Sequence, residues 1–249
     1  MGATFEDLIA EAAAVPLEGW DFSWFDGRAT EQRPSWGYAG LLAGRMAAAT
    51  AALDIQTGGG EVTATVPHPP PLLVVTDSWR PNIAVAARNL PHAHVVEAAD
   101  RPTLPFRDGV FDLVVSRHPV AVLWDEIARV LRPGGRFLAQ LIGPGTNREL
   151  SEAMLGPLPP PAPMAPDLEA KIAGLEVERV RAEKLRAEYF DVGAVAHFLR
   201  KVVWTVPGFD VERFRPQLRA VHDRIQTDGP FVSYAKRLLI EAYKPVWVG

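Results

Sequence analysis

Cysteine is absent from this chain of 249 residues. Without it the protein can form neither disulfide bonds nor thiolate zinc sites, and it has no cysteine nucleophile. Long hydrophobic runs are missing as well, because no segment approaches the roughly 18 consecutive apolar residues of a membrane-spanning helix. Hydrophobic residues make up 48% of the chain and charged residues 22%, as in ordinary globular proteins. We therefore expect a soluble globular protein.

Basic residues are fewer than acidic ones, with 26 Lys and Arg, 30 Asp and Glu, and a net charge of −4. Nucleic-acid binding depends on clustered basic residues that neutralise phosphates, so a polynucleotide partner is disfavoured and a small-molecule partner is favoured. Near the start, Glu6 and Asp7 stand where a secretory signal carries basic residues, and no signal-like apolar run with a cleavage site follows. We expect a cytoplasmic location without membrane attachment; the sequence does not determine the oligomeric state.

The chain divides into three predicted segments of one main domain. Residues 1–50 carry amphipathic stretches and three tryptophans that need burial, which predicts a helical, aromatic cap. Residues 51–155 alternate short apolar runs with helical stretches, the pattern of βα units around a parallel sheet. Residues 156–249 open with a proline-rich connector over 156–166 that cannot form a regular helix or central strand, and continue with the last strands and a late helical insertion.

The predicted elements follow from these periodicities. The predicted strands are 52–56, 72–76, 94–98, 111–116, 136–142, an edge strand at 175–187, and a final strand at 231–243. The predicted helices are 5–14, 38–51, 81–90, 125–131, 192–203 and 211–227.

A glycine-rich turn follows the first strand of the core, in the sequence LDIQTGGGE over residues 53–61. Glycines at a strand-to-helix turn let the backbone approach a ligand and present amide donors, although purely structural turns of this kind are common. Asp77 ends the second strand and Asp100 follows the third. An acid after the second strand can accept hydrogen bonds from the ribose hydroxyls of a nucleoside cofactor. These acids and the turn therefore converge on one crevice.

Together with FDLVVS at 111–116 and EIARVLRPGG at 126–135, these motifs resemble those of class I S-adenosylmethionine-dependent methyltransferases over roughly the middle 100 residues. The resemblance implies an α/β fold with a Rossmann-like, doubly wound, mostly parallel seven-stranded sheet whose final strand is antiparallel. It also implies that S-adenosylmethionine lies across the carboxyl ends of the early strands.

The resemblance implies roles for individual residues. Asp54 and the turn at 57–60 would face the methionine portion, Asp77 the ribose, and Asp100 the adenine edge. The family's glycine pattern usually begins with a glycine where Gln56 stands, so this side chain either narrows the crevice or contacts the methionine carboxylate region. The residues assigned to the cofactor are Asp54, Gln56, Thr57, Gly58, Gly60, Asp77, Ser78, Trp79, Asp100, Arg101 and Ser116.

Methyl transfer from a sulfonium needs alignment, exclusion of water and a deprotonated acceptor. His118, after the fourth core strand, is the candidate general base; the alternative is a hydrogen-bonded loop residue. Arg117 is a candidate for orienting an anionic substrate, or else forms a surface ion pair. The segment 116–119 lacks the acid or asparagine, two prolines and aromatic residue of many enzymes that methylate exocyclic base amines or glutamine amides, which counts against those substrates.

Aromatic residues in the first and last segments suggest a substrate pocket, with core packing as the alternative. The residues assigned to the substrate are Trp24, Trp36, Arg117, Tyr189, His197 and Trp204. The histidines have no metal-ligand spacing, so no metal site is expected.

Two other functions compete with methyl transfer. A nicotinamide-dependent oxidoreductase also uses a glycine turn and a following acid, but Gly58, Gly59 and Gly60 are consecutive rather than spaced as Gly-x-Gly-x-x-Gly. A regulatory protein that keeps the cofactor fold without catalysis is compatible with Gln56 and with the missing catalytic signature.

Overall fold

The computed structural model describes residues 3–17, 22–98 and 103–246. The strands in this part are β1 (Ala29–Glu31), β2 (Ala51–Asp54), β3 (Leu72–Asp77), β4 (His94–Glu97), β5 (Phe111–Arg117), β6 (Leu131–Ile142), β7 (Glu176–Tyr189) and β8 (Phe231–Tyr243). The α-helices are α1 (Phe5–Ala14), α2 (Tyr38–Ala47), α3 (Arg80–Asn89), α4 (Trp124–Val130), α5 (Arg148–Leu155), α6 (Pro166–Ile172), α7 (Val192–Lys201) and α8 (Arg215–Asp228).

The strands form one sheet in the order β1-β7-β8-β6-β5-β2-β3-β4. The five strands from β6 to β4 are parallel, and β8 lies antiparallel beside β6. The α/β fold with a mostly parallel sheet and an antiparallel final strand is thereby confirmed, but the sheet has eight strands rather than seven. The extra strand, β1, pairs with the end of β7, so the prediction that β7 is an edge strand is wrong. Three residues are too few to show a strand periodicity in the sequence.

Helices cover both faces of the parallel strands. Successive side chains of a strand point to opposite faces, so alternate residues enter different cores. Ala52 and Leu113 pack with residues of α2 and α3 on one face, while Leu53 and Val114 pack with residues of α4 and α6 on the other. Because both faces are buried, these strands appear in the sequence as continuous apolar runs.

Several element bounds differ from the predicted ones. The helix α2 ends at Ala47, before the predicted residue 51, because the chain enters β2 at Ala51. The helix α8 begins at Arg215, after turns that the apolar spacing of 211–214 concealed. The helix α5 was not predicted. The proline-rich stretch has no regular structure until Pro166 opens α6, which agrees with the prediction of an irregular connector.

The chain forms two compact units. The first comprises Met1–Arg33, Gly143–Ala162 and Lys184–Lys236, and the second comprises Pro34–Ile142, Pro163–Glu183 and Arg237–Gly249. The first unit has its own core, built around Leu8, Val195 and Leu218. The division of the chain at residues 50 and 155 stays a prediction. Within the described ranges, no helix has the length and apolar character needed to cross a membrane.

Candidate functional site

The candidate site lies in the second unit, at the carboxyl ends of the parallel strands. Asp54 ends β2, Asp77 ends β3, and Ser116 lies at the end of β5. Neighbouring parallel strands end at the same edge of a sheet, which is where ligands bind in open α/β folds. The structure therefore brings together the strand-end residues that the sequence placed at one crevice. Asp100 and Arg101 lie outside the described residues.

Asp54 is a buried carboxylate with two hydroxyl donors. Its Oδ2 accepts hydrogen bonds from the Oγ1 atoms of Thr57, at 2.6 Å, and of Thr63. Burial raises the pKa of Asp54 to about 6, the two hydroxyls oppose the rise, and the nearby Asp77 adds to it. Ionisation of Asp54 thus destabilises the folded protein, and a cationic group beside the carboxylate would stabilise the ionised form. No sequence pattern marked Thr63.

The glycine turn needs glycine for two separate reasons. Gly58 and Gly60 have φ angles of 66° and 74°, in the left-handed region that other residues rarely adopt. A Cβ atom on Gly60 would lie 2.6 Å from Cδ1 of Leu90, and one on Gly59 would lie 2.7 Å from Cγ1 of Val85. The turn is thus packed closely against α3 and the residue that follows it.

Asp77 is held by three donors. The backbone amides of Gly58 and Trp79 donate to it at 2.9 Å, and the side-chain amide of Asn82 donates at 3.2 Å. A carboxylate offers about four acceptor positions, so one remains for a ligand. The Oδ1 atom of Asn82 is buried and has no hydrogen-bond partner among the described residues. A buried acceptor without a partner is unfavourable.

The acceptor oxygens of Asp77 and Asn82 can be compared with the hydrogen-bond donors of S-adenosylmethionine. Its ribose carries two hydroxyl donors, and Asp77 and Asn82 offer two acceptors next to each other. Trp79, whose side chain is 51% exposed, and the partly buried Ser78 follow directly. The residues present therefore fit a ribose-containing ligand. Asn82 was not singled out in the sequence, although its position in the first turn of α3, five residues after the acid, was visible.

Gln56 stands where the family pattern has glycine, and its φ angle of 56° is the left-handed value that glycine adopts easily. Its side-chain amide donates to the carbonyl of Ala121 at 2.9 Å, and its Oε1 accepts from the Val120 amide at 2.6 Å. The amide is therefore engaged by the loop after β5, and its contact with the methionine region of a cofactor stays a prediction. Gln56 fastens the turn after β2 to this loop.

His118 has a fixed hydrogen-bonding state. The indole N–H of Trp36 donates to Oε1 of Gln140 at 2.8 Å, and Nε2 of Gln140 lies 2.9 Å from Nε2 of His118. Because an indole N–H can only donate, the amide NH2 of Gln140 must face His118, whose Nε2 accepts and whose Nδ1 carries the proton.

This arrangement argues against the predicted role of His118 as a general base. Burial lowers its pKa to about 2, and the charges of Arg117 and Arg237 act in the same direction. The lone pair of Nε2 is occupied by Gln140. His118 is therefore a neutral side chain that can donate a hydrogen bond through Nδ1, which is closer to the alternative of a hydrogen-bonded loop residue.

Tyr38, the first residue of α2, joins the two ends of the site. Its buried hydroxyl donates to the backbone carbonyl of Ser116 at 3.2 Å, while the Ser116 hydroxyl donates to the carbonyl of Ile55 at 2.7 Å. Burial raises the pKa of Tyr38, Asp54 raises it further and Arg117 lowers it. Its phenol is thus close to both an acid and a guanidinium. No sequence pattern marked Tyr38 for this role.

The residues assigned to the substrate separate into two groups. Trp36 and Arg117 belong to the second unit. Tyr189 and His197 are buried in the first unit, where the ring of His197 lies 4.8 Å from that of Trp24, and burial lowers the pKa of His197 to about 4. For these three aromatic residues the structure supports core packing over pocket lining. Trp204 is 49% exposed in the same unit.

A groove of about 680 Å³ lies in the first unit, lined partly by α1. Two of its charged side chains are engaged within the protein, since Arg215 pairs with Glu6 and Glu212, and Arg200 donates to the carbonyl of Ala12. None of its lining residues belongs to the cluster of acids and glycines. We therefore place the candidate site at the strand ends of the second unit.

Comparison with known proteins gives matches over this part of the chain. A family model described as methyltransferase domain matches residues 53–139. The biotin biosynthesis bifunctional protein BioHC of Cellvibrio japonicus is 33% identical over 110 residues, which are 42% of this chain and 22% of that protein. The chain thus matches about a fifth of the length of that relative.

Solved structures share the fold. A candidate methyltransferase from Bacillus halodurans has a TM-score of 0.58 and 20% identity, covering 82% of this chain and 99% of the other. The [4+2]-cyclase SpnF has a TM-score of 0.54 and 18% identity, covering 96% of this chain and 92% of the other. The domain match, the strand topology and the acids at the strand ends agree in assigning a methyltransferase domain to residues 53–139, with the fold of the class I S-adenosylmethionine-dependent methyltransferases.

Proposed function

We propose that the protein transfers a methyl group from S-adenosylmethionine to a small-molecule acceptor. The observation that carries the proposal is the buried network in which the Gly58 amide donates to Asp77 beside the orphaned oxygen of Asn82. This network presents acceptors for ribose hydroxyls at the end of the second core strand. The family match over residues 53–139 contains the whole network.

When bound, S-adenosylmethionine supplies a methyl carbon on a sulfonium sulfur: an acceptor lone pair forms the new bond to carbon while the carbon–sulfur bond breaks and its electrons stay on sulfur. Such a displacement depends on alignment and on exclusion of water. Ionised Asp54 attracts the cationic end of the cofactor. The buried side chains of Trp36 and Tyr38 cover the ends of β5 and β6 and exclude water there.

Calorimetric titration with S-adenosylmethionine, S-adenosylhomocysteine and NADH tests the proposal. Both adenosyl ligands should bind, and the Asp77→Ala variant should weaken them by at least about tenfold because it removes charge-assisted hydrogen bonds. Asp125→Ala, which changes an exposed acid on α4, should leave their affinity unchanged. Binding of NADH alone, or of none of the three ligands, would contradict the proposal.

A second candidate is a protein that binds the cofactor without transferring its methyl group. The neutral, hydrogen-bonded state of His118 favours it, and the [4+2]-cyclase SpnF shows that a protein with another named activity has this fold. The two candidates differ in turnover. Release of S-adenosylhomocysteine in the presence of an acceptor mixture supports methyl transfer, whereas tight binding without release in every mixture supports the second candidate.

A further inference from the structure

The groove of the first unit is lined by α1, by the end of α7 and by the turns that precede α8. Ile9 and Ala13, four residues apart on one face of α1, belong to its wall, and the chain beyond α7 adds Val203, Phe209 and Val211. Its volume of about 680 Å³ falls within the range of pockets that hold small molecules. The groove therefore has the size and the apolar surface to receive a hydrocarbon group.

Arg200, in the last turn of α7, is a partly buried residue of this groove. Its Nη1 atom donates to the backbone carbonyl of Ala12 and, at 3.3 Å, to that of Val15. The two carbonyls use both hydrogens of Nη1 and hold the guanidinium at the end of α1. Within the described residues, no acid is paired with Arg200.

The second edge of the Arg200 guanidinium carries Nε–H and Nη2–H, which are parallel donors. Neither of them donates a hydrogen bond to any residue that the structure describes. The two nitrogens are not among the buried atoms without a partner, so this edge is accessible from outside the protein. Two parallel N–H donors match the two oxygens of a carboxylate. The edge is thus oriented and open for an anion.

The other charged residues of the groove leave the charge of Arg200 uncompensated. Arg215 pairs with Glu6 and Glu212, and Asp210 is exposed to water, which screens its charge. Burial lowers the pKa of Arg200, whereas hydrogen bonds from two acids raise the pKa of Arg215. A partly buried charge without an ionic partner is unfavourable, and an anion beside Arg200 would stabilise it.

We propose that this groove binds an aliphatic carboxylate. The Nε–H and Nη2–H edge of Arg200 holds the carboxylate, and the apolar walls cover the hydrocarbon chain. Burial of each methylene group raises the affinity by up to about fourfold, while the guanidinium fixes the orientation of the ligand. The groove shares no residue with the site at the strand ends, so the assignment does not depend on methyl transfer.

Calorimetric titration of the full chain with hexanoate, octanoate and decanoate tests the proposal, with octanamide as the uncharged counterpart of octanoate. We expect the affinity to rise with chain length, by up to about fourfold per methylene. Octanoate should bind about tenfold or more tightly than octanamide, because the amide loses the charge-assisted hydrogen bonds. Equal affinity of octanoate and octanamide, an affinity independent of chain length, or no binding of any acid overturns the proposal.

Two neighbouring alanines of α1 provide a matched pair of variants. Ala13→Glu places a negative charge in the wall of the groove, whereas Ala14→Glu makes the same change one residue later, outside the lining. Both side chains are exposed, so neither change disturbs the core. Ala13→Glu should weaken octanoate binding at least about tenfold and Ala14→Glu less than about twofold. Equal affinities of the two variants overturn the location of the site.

Arg200→Lys tests the contact with the carboxylate. Lysine keeps the positive charge but lacks two parallel donors, so octanoate should bind about tenfold more weakly. Arg224→Lys, the same replacement at an exposed position of α8, is the control and should leave the affinity unchanged. Unchanged octanoate affinity of Arg200→Lys overturns the proposal. The urea unfolding midpoint shows whether Arg200→Lys is folded, and the two alanine variants decide the matter if it is not.

Discussion

Replacement of Asp54 by asparagine removes a negative charge from a buried position but keeps an oxygen that can accept from Thr57 and Thr63. Burial raises the pKa of Asp54 to about 6, from an ordinary value of about 3.9. One pKa unit corresponds to about 1.4 kcal/mol, so ionised Asp54 destabilises the folded protein by roughly 3 kcal/mol.

The sign of the pH dependence follows from the raised pKa. The folded protein binds the proton of Asp54 more tightly than the unfolded chain does, so stability falls as the pH rises. The penalty is absent below about pH 4, grows up to the pKa of about 6, and is complete above it. Without ligand, Asp54→Asn should therefore be more stable than the unmodified protein at pH 8, by roughly 1 to 3 kcal/mol. At pH 4 the two should be equal.

Urea unfolding at pH values from about 4 to 8 measures this difference as a change in the unfolding midpoint. Asp112→Asn is the matched control, and its expected change in stability at pH 8 has the opposite sign. Burial opposes ionisation of Asp112, but hydrogen bonds from Thr50 and Ala51 and the charge of Arg132 outweigh it and lower its pKa. Its stabilising effect is present above the unfolded pKa and is lost as the pH falls, so Asp112→Asn should destabilise the protein at pH 8.

Asp54→Asn should also weaken S-adenosylmethionine binding at least about tenfold, since it removes the charge that favours the cationic end of the cofactor. Stability and cofactor affinity then change in opposite directions. The reasoning is refuted if Asp54→Asn is less stable than the unmodified protein at pH 8, or if the difference between them does not change with pH.

Three further outcomes are expected. Gln56→Gly should raise hydrogen exchange at the Val120 amide about tenfold or more, because that amide loses its acceptor, while relief of the left-handed backbone offsets part of the lost stability; unchanged protection in mass-spectrometric exchange would contradict this role. Gly60→Ala should lower the free energy of unfolding by roughly 1 to 3 kcal/mol in urea, since its Cβ meets Leu90, and an unaltered midpoint would speak against the tight packing. The ring of His118 should show no titration between pH 8 and 4 in NMR spectra, because its pKa is lowered to about 2; a midpoint near 6 would restore the general base.

Local sequence patterns were enough to predict the α/β architecture, and they place the candidate site at the strand ends. The predicted bounds of α1 and β8 agree with the structure residue by residue, and most parallel strands appear where their apolar runs predicted them. Such elements produce a periodicity in the local sequence that can be recognised without knowledge of the tertiary contacts. Asp54 and Asp77 were found for the same reason, because the order of strands along the chain fixes which residues stand at the strand ends.

The hydrogen bonds and pKa values of the candidate site could be read only from the folded chain. The roles of Thr63, Asn82 and Tyr38 depend on contacts with side chains or backbone groups that folding brings to them, and no local pattern marks such residues. The state of His118 depends on Gln140, whose orientation is set by Trp36. A pKa and a hydrogen-bond direction are set by burial and by neighbours from distant parts of the chain, which the periodicity of a sequence does not specify.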